Sequence, residues 1–504
     1  MYGNLIDALP NVLTFSNFAA VVFGVLSGII VGALPGLSAT MAISVLIPFT
    51  FAFEPLVALG LMAGIYNGAM YGGAIPAVLL RIPGTPAAVA TSFDGYPMAQ
   101  QGRGGYALQV AVVSSSIGGI ASALALMLLA PPLARLTLLF GPSEIFWIAV
   151  FAMTSVVFLL GGNPIKGLIS AAFGIVVSLC GSDIITGYDR FTFGHLELLD
   201  GINIVVLLVG LYALPPVIDL LQKSSSPDAS KASELNAGSF WANLPGMRRF
   251  AKTWARSSVI GILVGILPGA GGSMAAFLSY NEARRDSTNP KDWGKGEPEG
   301  VAAAETANNA DTASALIPAL TLGIPGTAVA AIMLGGLLVH GLQPGPMLFR
   351  ENPDIVFGFM WQFLFGAMLL IFLGGSLATN NFARVLLLPR PLLGSIIIAL
   401  MLIGVYSIHG RMFDVYLMLG FGLVGFAMDK LDYPLPPVVL GVILGAFAEQ
   451  NLRLALRIGR GDWSILWTNT ASVVLILLTG AVVVGPLVMR TIRKWRRTKN
   501  IQGE

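Results

Sequence analysis

The residues with the clearest chemical potential lie beside Pro-Gly pairs within long apolar stretches. Proline removes a backbone hydrogen bond from a helix and glycine frees the backbone next to it, so each pair predicts a broken helix. A helix that restarts after a break points unpaired N–H groups and positive dipole at the gap, which suits a carboxylate. Hydroxyls beside the breaks could complete such a site. The predicted solute-binding residues are Pro35, Gly36, Ser38, Thr40, Pro83, Gly84, Thr85, Pro268, Gly269, Ser273, Pro325, Gly326 and Thr327.

Two of these glycines are expected to be especially sensitive to substitution. Only glycine permits close backbone approach to a solute and unusual dihedral angles without steric cost, and both are expected at Gly84 and Gly326. Gly174 and Gly420 lie within apolar runs and are expected to serve helix packing. A methyl group should therefore weaken solute binding more at Gly84 or Gly326 than at Gly174 or Gly420.

Polar side chains within the apolar stretches predict a second site, for a cation. Four of them share one face of a predicted helix at spacings i, i+3, i+4 and i+7, namely Glu305, Asn308, Asn309 and Thr312, and Asp311 lies just round that helix. Intramembrane carboxylates and amides are costly and usually face a bundle interior or a solute path. Glu305 alone is better explained as a helix-start residue. Since amide and carbonyl oxygens suit hard ions, the predicted cation-coupling residues are Asn67, Asn309, Asp311 and Thr312.

Transmembrane helices are the elements that must position these residues. The chain of 504 residues is 55% hydrophobic and only 11% charged, whereas soluble domains are about 25% charged. A bilayer core about 30 Å thick needs roughly 20 apolar residues per crossing helix, and the chain offers about a dozen such runs. The predicted fold is therefore an all-α integral membrane protein of about 10–12 transmembrane helices with broken helices or hairpins.

An internal repeat organises these helices. Residues 31–42 match residues 264–275 at seven of twelve positions, and Asn67 with the Pro-Gly-Thr of residues 83–85 matches Asn309 with residues 325–327. Paired Gly/Pro interruptions at equivalent positions of two halves are typical of a transporter's binding site. We predict a first transmembrane repeat at 12–222, a linker at 223–249, a second repeat at 250–490 and a basic tail at 491–504.

The distribution of cationic residues predicts the orientation of the two repeats. The linker and the tail are rich in Lys and Arg, and the positive-inside rule makes both cytoplasmic. Residues 1–11 contain no Lys or Arg and are expected outside. The first repeat then starts outside and the second inside, so the two copies are predicted to be inverted, which suits alternating access.

Other kinds of chemistry find little support in the sequence. His195, His340 and His409 are scattered without metal-ligand spacing. The chain has no nucleotide-binding loop, no Gly-x-Ser-x-Gly elbow and no His-Glu-x-x-His motif. We therefore predict no enzyme activity and no cofactor beyond a sodium ion for coupling. An intramembrane enzyme and a passive channel remain the alternatives.

Several longer motifs carry a resemblance to a known family. They are Gly32-Ala-Leu-Pro35-Gly36, Tyr71-Gly-Gly-Ala-Ile-Pro76, Arg81-Ile-Pro83-Gly84-Thr85-Pro86, Asp94-Gly95-Tyr96-Pro97-Met98-Ala99, Arg190-Phe-Thr-Phe-Gly194, Glu197-Leu-Leu-Asp200-Gly201, Glu449 with Arg453, and Arg460-Gly-Asp462-Trp463-Ser464. In these motifs, which span essentially the whole chain, the sequence resembles the large membrane subunit of the tripartite tricarboxylate transporter family.

The resemblance implies a symporter of di- or tricarboxylates in a Gram-negative inner membrane, driven by sodium or protons. It also implies two partners, a small four-helix membrane subunit and a periplasmic solute-binding protein, and no nucleic acid. The family is similar to carboxylate carriers thought to work by an elevator motion, with hairpin tips meeting at the solute. The second half lacks a proline after Thr327 and lacks the Asp-Gly-Tyr-Pro run, so the two tips are expected to differ chemically.

Overall fold

The computed structural model describes residues 2–159, 163–183, 186–222, 239–377 and 389–501. Residues 223–238 of the predicted linker and 502–504 of the predicted tail lie outside the described residues. In the described part, seven helices are long and apolar enough to cross a membrane, and five shorter helices are apolar. The one sheet described there is a two-stranded antiparallel pair, β1 (Gly181–Ser182) and β2 (Asp189–Arg190). The prediction of an all-α membrane protein is confirmed.

Eleven helices precede residue 223 and twelve follow residue 238 among the described residues. The first group is α1 (Tyr2–Asp7), α2 (Leu9–Val12), α3 (Phe15–Ala33), α4 (Ala39–Thr50), α5 (Pro55–Gly72), α6 (Ala74–Leu80), α7 (Ala88–Gln100), α8 (Gly104–Thr137), α9 (Pro142–Leu159), α10 (Pro164–Ser178) and α11 (Ile204–Gln222). The second group is α12 (Phe240–Asn243), α13 (Ala251–Ile266), α14 (Gly271–Asp286), α15 (Pro298–Ser314), α16 (Leu316–Leu322), α17 (Ala328–Val339), α18 (Leu348–Glu351), α19 (Pro353–Leu370), α20 (Arg390–His409), α21 (Met412–Lys430), α22 (Pro436–Ile458) and α23 (Thr470–Ile501).

The predicted broken helices are present at all four Pro-Gly pairs. Pro35, Pro83, Pro268 and Pro325 all lie in non-helical turns, which separate α3 from α4, α6 from α7, α13 from α14 and α16 from α17. The series α3 to α7 therefore corresponds to the series α13 to α17. In each series the chain is also interrupted between the third and fourth helices. A proline follows in the first turn of the fourth helix, α6 or α16, where a missing N–H costs no helical hydrogen bond.

Close glycine packing joins the first and third helix of each series. The backbone of Gly24 lies against that of Leu61, and Gly28 lies against Ile65, so α3 and α5 run parallel. In the second series Gly261 lies against Ala307, and α13 packs along α15 in the same way. Small residues allow this backbone approach, which is how helices associate within membranes.

The two series exchange their last helices. Helix α7 of the first series packs on α14 and α15 of the second, and α17 of the second packs on α4 and α5 of the first. Each last helix therefore packs both on its own series and on the other one.

The chain divides into two compact units. One comprises Met1–Ala134 and Asn203–Ala427, and the other comprises Arg135–Ile202 and Met428–Glu504. Both predicted repeats contribute residues to both units. All of the predicted solute-binding and cation-coupling residues lie in the first unit.

Candidate functional site

A helical hairpin with a Pro-Gly tip opens the second series. Helices α13 and α14 run antiparallel, because Ser279 Oγ donates to Ser257 Oγ at 2.7 Å and Lys252 Nζ lies 2.7 Å from Asp286 Oδ2 at the hairpin base. The Lys252 ammonium holds the pKa of the Asp286 carboxyl below its ordinary value. At the tip, Gly269 has a φ of 81°. The equivalent glycine between α3 and α4, Gly36, has a φ of 96°, so both tips need the left-handed backbone that glycine adopts freely.

The two Pro-Gly-Thr breaks share one hydrogen-bonding pattern. Gly84 N donates to the carbonyl of Gly73 at 3.2 Å, and Gly326 N donates to the carbonyl of Ala315 at the same distance. Each break thus folds back onto the residue where the preceding helix is interrupted. The repeated sequence forms a repeated structure at this point.

The backbone packed against these breaks leaves no room for a side chain at Gly84 or Gly326. A Cβ on Gly84 would collide with the carbonyl oxygen of Gly32, and a Cβ on Gly326 would collide with that of Gly265. Neither glycine is among those with positive φ. The expectation of unusual dihedral angles at Gly84 and Gly326 is therefore wrong, since the left-handed angles occur at the hairpin tips instead. The close backbone approach is real, and it is made to α3 and α13.

The two glycines that were expected to serve helix packing differ from each other. Gly174 packs against the carbonyl of Val438 in α22, as expected for a packing glycine. A Cβ on Gly420, by contrast, would meet no atom within 4 Å, so its expected packing role is wrong. Gly420 lies on a face of α21 that no described residue covers.

The hydroxyls beside the breaks have different partners. Ser38 caps α4 by accepting a hydrogen bond from Met41 N at 3.3 Å, and Thr327 caps α17 by accepting one from Ala330 N at 3.1 Å. Thr85 Oγ1 is buried and has no hydrogen-bond partner in the described part of the chain. Caps of this kind stabilise a helix start by about 1 kcal/mol. Thr85 is thus the break hydroxyl with no structural hydrogen bond in the described residues.

Two further predicted hydroxyls lie at the hairpin tips. Thr40 Oγ1 is 2.5 Å from Ser38 Oγ, so these two side chains form one hydrogen-bonded pair at the start of α4. Ser273 is half-buried near the start of α14. Both therefore lie within one turn of a restarting helix, where backbone N–H groups are unpaired.

The second Pro-Gly-Thr break connects to the hairpin tip of its own series and to the other series. Gly269 N donates to the carbonyl of Gly326 at 2.9 Å, which joins the tip of the α13–α14 hairpin to the break. The hydroxyl of Tyr66 in α5 lies 3.2 Å from that of Thr327, within hydrogen-bond distance. The structure therefore brings Pro268, Gly269, Pro325, Gly326 and Thr327 together beside α5.

A buried cluster of hydrogen-bond acceptors lies next to this junction. Asp311 is 1% exposed, and neither carboxylate oxygen makes a well-formed hydrogen bond within the described part of the chain. Asn308 Oδ1 is equally buried and unpaired in the described residues. Both oxygens border Gly272, whose notional Cβ would lie 2.8 Å from Asn308 Oδ1 and 3.3 Å from Asp311 Oδ2. Unpaired buried acceptors are rare and costly, and oxygen atoms of this kind are ligands for hard cations.

The other predicted cation-coupling residues are only partly consistent with such a site. Asn67 Nδ2 donates to the carbonyl of Phe363 at 3.2 Å and Asn309 Nδ2 donates to that of Glu305 at 3.1 Å, which leaves Oδ1 of both amides buried and unpaired in the described residues. The Thr312 hydroxyl donates to the carbonyl of Asn309 on its own helix at 2.7 Å. Neither Asn309 nor Thr312 forms a well-formed hydrogen bond with the Asp311 carboxylate, whose two oxygens have no such partner within the described residues.

Asn308 was not among the residues predicted to couple a cation. The sequence feature that could have identified it is its position three residues before Asp311, which places the two side chains on neighbouring parts of α15. Its amide Nδ2 donates to the carbonyl of Met70 at 3.4 Å, which turns Oδ1 toward Gly272. The amide is thus anchored to α5 while its oxygen remains available.

Glu305 does not lie at a helix start. Helix α15 begins at Pro298 and is capped by Glu297, so Glu305 lies in its middle and is completely buried. Its carboxylate accepts hydrogen bonds from Thr91 Oγ1 at 2.5 Å and Ser115 Oγ at 2.9 Å. The interpretation as a helix-start residue is wrong, because the loop between α14 and α15 ends before Pro298.

Asp94 of the Asp-Gly-Tyr-Pro motif has a structural role that the sequence did not reveal. Oδ1 accepts hydrogen bonds from three backbone N–H groups, those of Gly294, Gly296 and Glu297, at 2.8 to 2.9 Å. Oδ2 accepts one from Tyr280 Oη at 2.7 Å. The motif therefore ties α7 to α14 and to the loop before α15. Gly336 occupies the equivalent position of the second series, so no such carboxylate exists there.

Comparisons with known proteins place these features in context. The family model described as the tripartite tricarboxylate transporter TctA family matches residues 18–440. An uncharacterized 52.8 kDa protein in the TAR-I ttuC' 3' region of Agrobacterium vitis is 36% identical over 484 residues, which is 96% of each chain. A second Agrobacterium vitis protein, in the TAR-II ttuC' 3' region, is 37% identical over 209 residues, which is 42% of this chain and 86% of that protein. No solved structure matches.

Proposed function

Since this chain belongs to the tripartite tricarboxylate transporter TctA family, we propose that it is the large transmembrane subunit of a cation-driven importer of di- or tricarboxylates. Membership makes it a transporter subunit with many membrane-spanning helices and one part of a three-part system. The proposal adds a sodium or proton symport mechanism, a location in the bacterial inner membrane, and two partners. These partners are a small four-helix membrane subunit and a periplasmic solute-binding protein.

The paired helix breaks support a solute site in the first compact unit. Helices α4, α7, α14 and α17 all restart after a Pro-Gly pair, and a restarting helix offers unpaired N–H groups to an anion. Thr85 adds a buried hydroxyl with no hydrogen bond in the described residues. We propose that the carboxylate groups of the solute bind at these helix starts, with Thr85 and Thr327 as hydroxyl contacts.

The acceptor cluster at Asp311 and Asn308 carries the proposal of cation coupling. An uncompensated buried carboxylate is expensive, and a cation bound between Asp311 and Asn308 would neutralise it. The Gly269 to Gly326 hydrogen bond and the Tyr66 contact with Thr327 lie in the same junction. Cation binding would thereby stabilise the break that holds the solute, which is the requirement for symport.

Contacts at the helix ends support the proposed inversion of the two halves. The end of α4 meets the end of α17, where Thr50 Oγ1 lies 3.1 Å from His340 Nε2. The end of α7 meets the loop after α14, where Arg103 Nη2 donates to the carbonyl of Gly296 at 2.7 Å. The open end of the α3–α4 hairpin therefore lies beside the end of α17, and the open end of the α13–α14 hairpin lies beside the end of α7. This arrangement is expected for two inverted copies.

Reconstitution with imposed ion gradients tests the proposed function. The two membrane subunits are placed in liposomes, the solute-binding protein is supplied outside, and uptake of radiolabelled carboxylate is followed. We expect accumulation only with an inward sodium or proton gradient and only with the binding protein. Uptake that needs ATP with both gradients collapsed would refute symport, and flux that never exceeds equilibration would indicate a passive channel.

A further inference from the structure

The loop between α10 and α11 faces the side of the membrane opposite to the predicted linker. Helix α11 is long and apolar enough to cross a membrane, and its far end leads into residues 223–249. In the second unit, the apolar part of helix α23, Thr470–Gly485, separates residues 459–469, which follow α22, from the basic residues that follow Val488. The positive-inside rule makes the linker and the tail cytoplasmic. Residues 186–201, hereafter the external loop, therefore face the periplasm.

Ion pairs hold the external loop to the end of α22 within the second compact unit. Arg190 contacts Asp183 at 3.2 Å and Glu449 at 2.8 Å. Arg453 contacts the same two carboxylates at 2.7 and 2.6 Å. The hydrogen bond with Glu449 raises the pKa of Arg190 above its ordinary value. This network borders a cavity of about 720 Å³, and it gives the loop a fixed base.

Large apolar side chains project from this fixed loop into solvent. Tyr188 is 79% exposed, Phe193 is 83% exposed and Leu196 is 78% exposed. Phe191 and Phe193 also have φ values of 52° and 51°, a left-handed conformation that is rare for bulky residues. Strained backbone that presents exposed aromatic side chains is typical of a site with a binding role.

The charges of the external loop favour a protein over a lipid surface as its partner. The loop contains three carboxylates, Asp189, Glu197 and Asp200, and one arginine, which is committed to the ion-pair network. All three carboxylates are exposed. Anionic lipid headgroups attract basic segments and would repel these carboxylates. Exposed aromatic residues surrounded by charge are instead the usual anchors of a protein interface.

We propose that the external loop is the docking surface for the periplasmic solute-binding protein, and this proposal rests on the proposed function. The partner's contact face would present an apolar pocket for Phe191 and Phe193, with Lys or Arg side chains around it to meet Glu197 and Asp200. Docking would then use a loop whose base is held to α22 by ion pairs.

Binding measurements on the intact complex test the docking surface. The two membrane subunits are placed in nanodiscs, and the affinity of the purified cognate solute-binding protein is measured by surface plasmon resonance. We expect the double variant Phe191→Ser with Phe193→Ser to weaken binding by at least about tenfold. We expect Glu197→Lys with Asp200→Lys to weaken it as well and to alter its salt dependence. The matched control is Tyr416→Ser, which alters a 64% exposed aromatic residue on α21 and should change nothing.

The outcomes separate this proposal from the proposed function. If the wild-type complex binds the solute-binding protein and both loop variants bind it equally well, the docking surface is wrong and the proposed function stands. If the variants bind normally but enter nanodiscs poorly, the aromatic residues anchor the loop in lipid and the docking surface is again wrong. If even the wild-type complex neither binds that protein nor needs it for uptake, the proposed function itself fails.

Discussion

Asp311 and Glu305 are two carboxylates of one buried helix with different surroundings. Glu305 accepts hydrogen bonds from two hydroxyls, whereas Asp311 and the nearby Asn308 oxygen have no donor side chain among the described residues. A carboxylate with donors is satisfied by the protein, and one without them requires a counter-charge from elsewhere. Of the two, Asp311 is therefore the one that fits a transported or coupling cation.

Asp311→Asn should disrupt cation coupling. Removing one charge from a buried ion pair costs about 3–5 kcal/mol, so the half-saturating cation concentration should rise by at least about a hundredfold. Uptake in liposomes is measured against the sodium and proton concentrations separately. Asp414→Asn is the control, because it removes a buried carboxylate that already has a partner, His409, at 2.7 Å. Unchanged cation dependence of the Asp311 variant would place the cation elsewhere.

Asn67→Ala and Asn309→Ala should each abolish uptake while the folded protein remains in the membrane. Each amide has one buried oxygen without a hydrogen-bond partner in the described part of the chain, and amide oxygens suit hard cations. Asn451→Ala is the matched control, because Asn451, like Asn309, donates to a carbonyl of its own helix and lies in the other unit. Transport by both variants with normal ion dependence would mean that these amides only pack.

At the scale of helices and breaks, the sequence located the four Pro-Gly interruptions but not the reason for every glycine. Proline and glycine act on the backbone at their own positions, so the breaks at residues 35, 83, 268 and 325 were predictable from the local sequence. Whether Gly84 is needed for its dihedral angles or for a neighbour depends on α3, which lies about fifty residues away in the chain. The contact of Thr327 with Tyr66, and the lack of a hydrogen-bond partner for Thr85 among the described residues, depended on packing in the same way.

Gly84→Ala and Gly326→Ala should reduce both the folded yield and the uptake. The added methyl group must displace the backbone of α3 or α13, and overpacking of this kind costs about 1–3 kcal/mol. Gly420→Ala should leave both quantities unchanged, since nothing lies within 4 Å of the new methyl group. Thermal unfolding in detergent and uptake per folded molecule give the two readouts. A Gly420 variant more damaged than the other two would overturn the packing argument.

Thr85→Val and Thr327→Val distinguish a solute contact from a helix cap. Thr327 caps α17, so its valine variant should lose about 1 kcal/mol of stability whether or not the solute is present. Thr85 has no hydrogen bond to lose in the described residues, so its valine variant should be as stable as the wild type. A raised half-saturation for the carboxylate in the stable Thr85 variant would then report contact with the solute. Wild-type half-saturation for the carboxylate in this variant would show that Thr85 does not contact the solute.

At the scale of the whole molecule, composition was enough to predict helices in a membrane, and the repeat was enough to predict two matching series. The exchange of α7 and α17 between the series was not predictable, because each helix pairs with partners more than a hundred residues away. The Asp94 hydrogen bonds were not predictable for the same reason, since three of their donors belong to the loop between α14 and α15, about two hundred residues away. The hydropathy and motif patterns of one segment carry no information about contacts with distant segments.

Cysteine labelling tests the proposed inversion. In a Cys180→Ser background, which removes the one natural cysteine, Phe53→Cys and Asn289→Cys place single thiols at two exposed turns. The first follows α4 and the second follows α14. We expect a membrane-impermeant maleimide to label Phe53→Cys from the periplasm and Asn289→Cys only from the cytoplasm. Labelling of both from the same side would show that the two hairpins open on one face.

The exchange of helices between the two series has a mechanical consequence. A rocker-switch transporter alternates by tilting one half of its sequence against the other, so its halves must part cleanly along their interface. Here that movement would pull α7 away from α14 and α15 and break all four hydrogen bonds of the buried Asp94 carboxylate. Each bond to a charged group contributes about 1.5–3 kcal/mol, which is too much to lose in every transport cycle. The two repeats are thus unsuited to move against each other as rigid halves. Any rigid group of helices that moves must contain helices from both repeats.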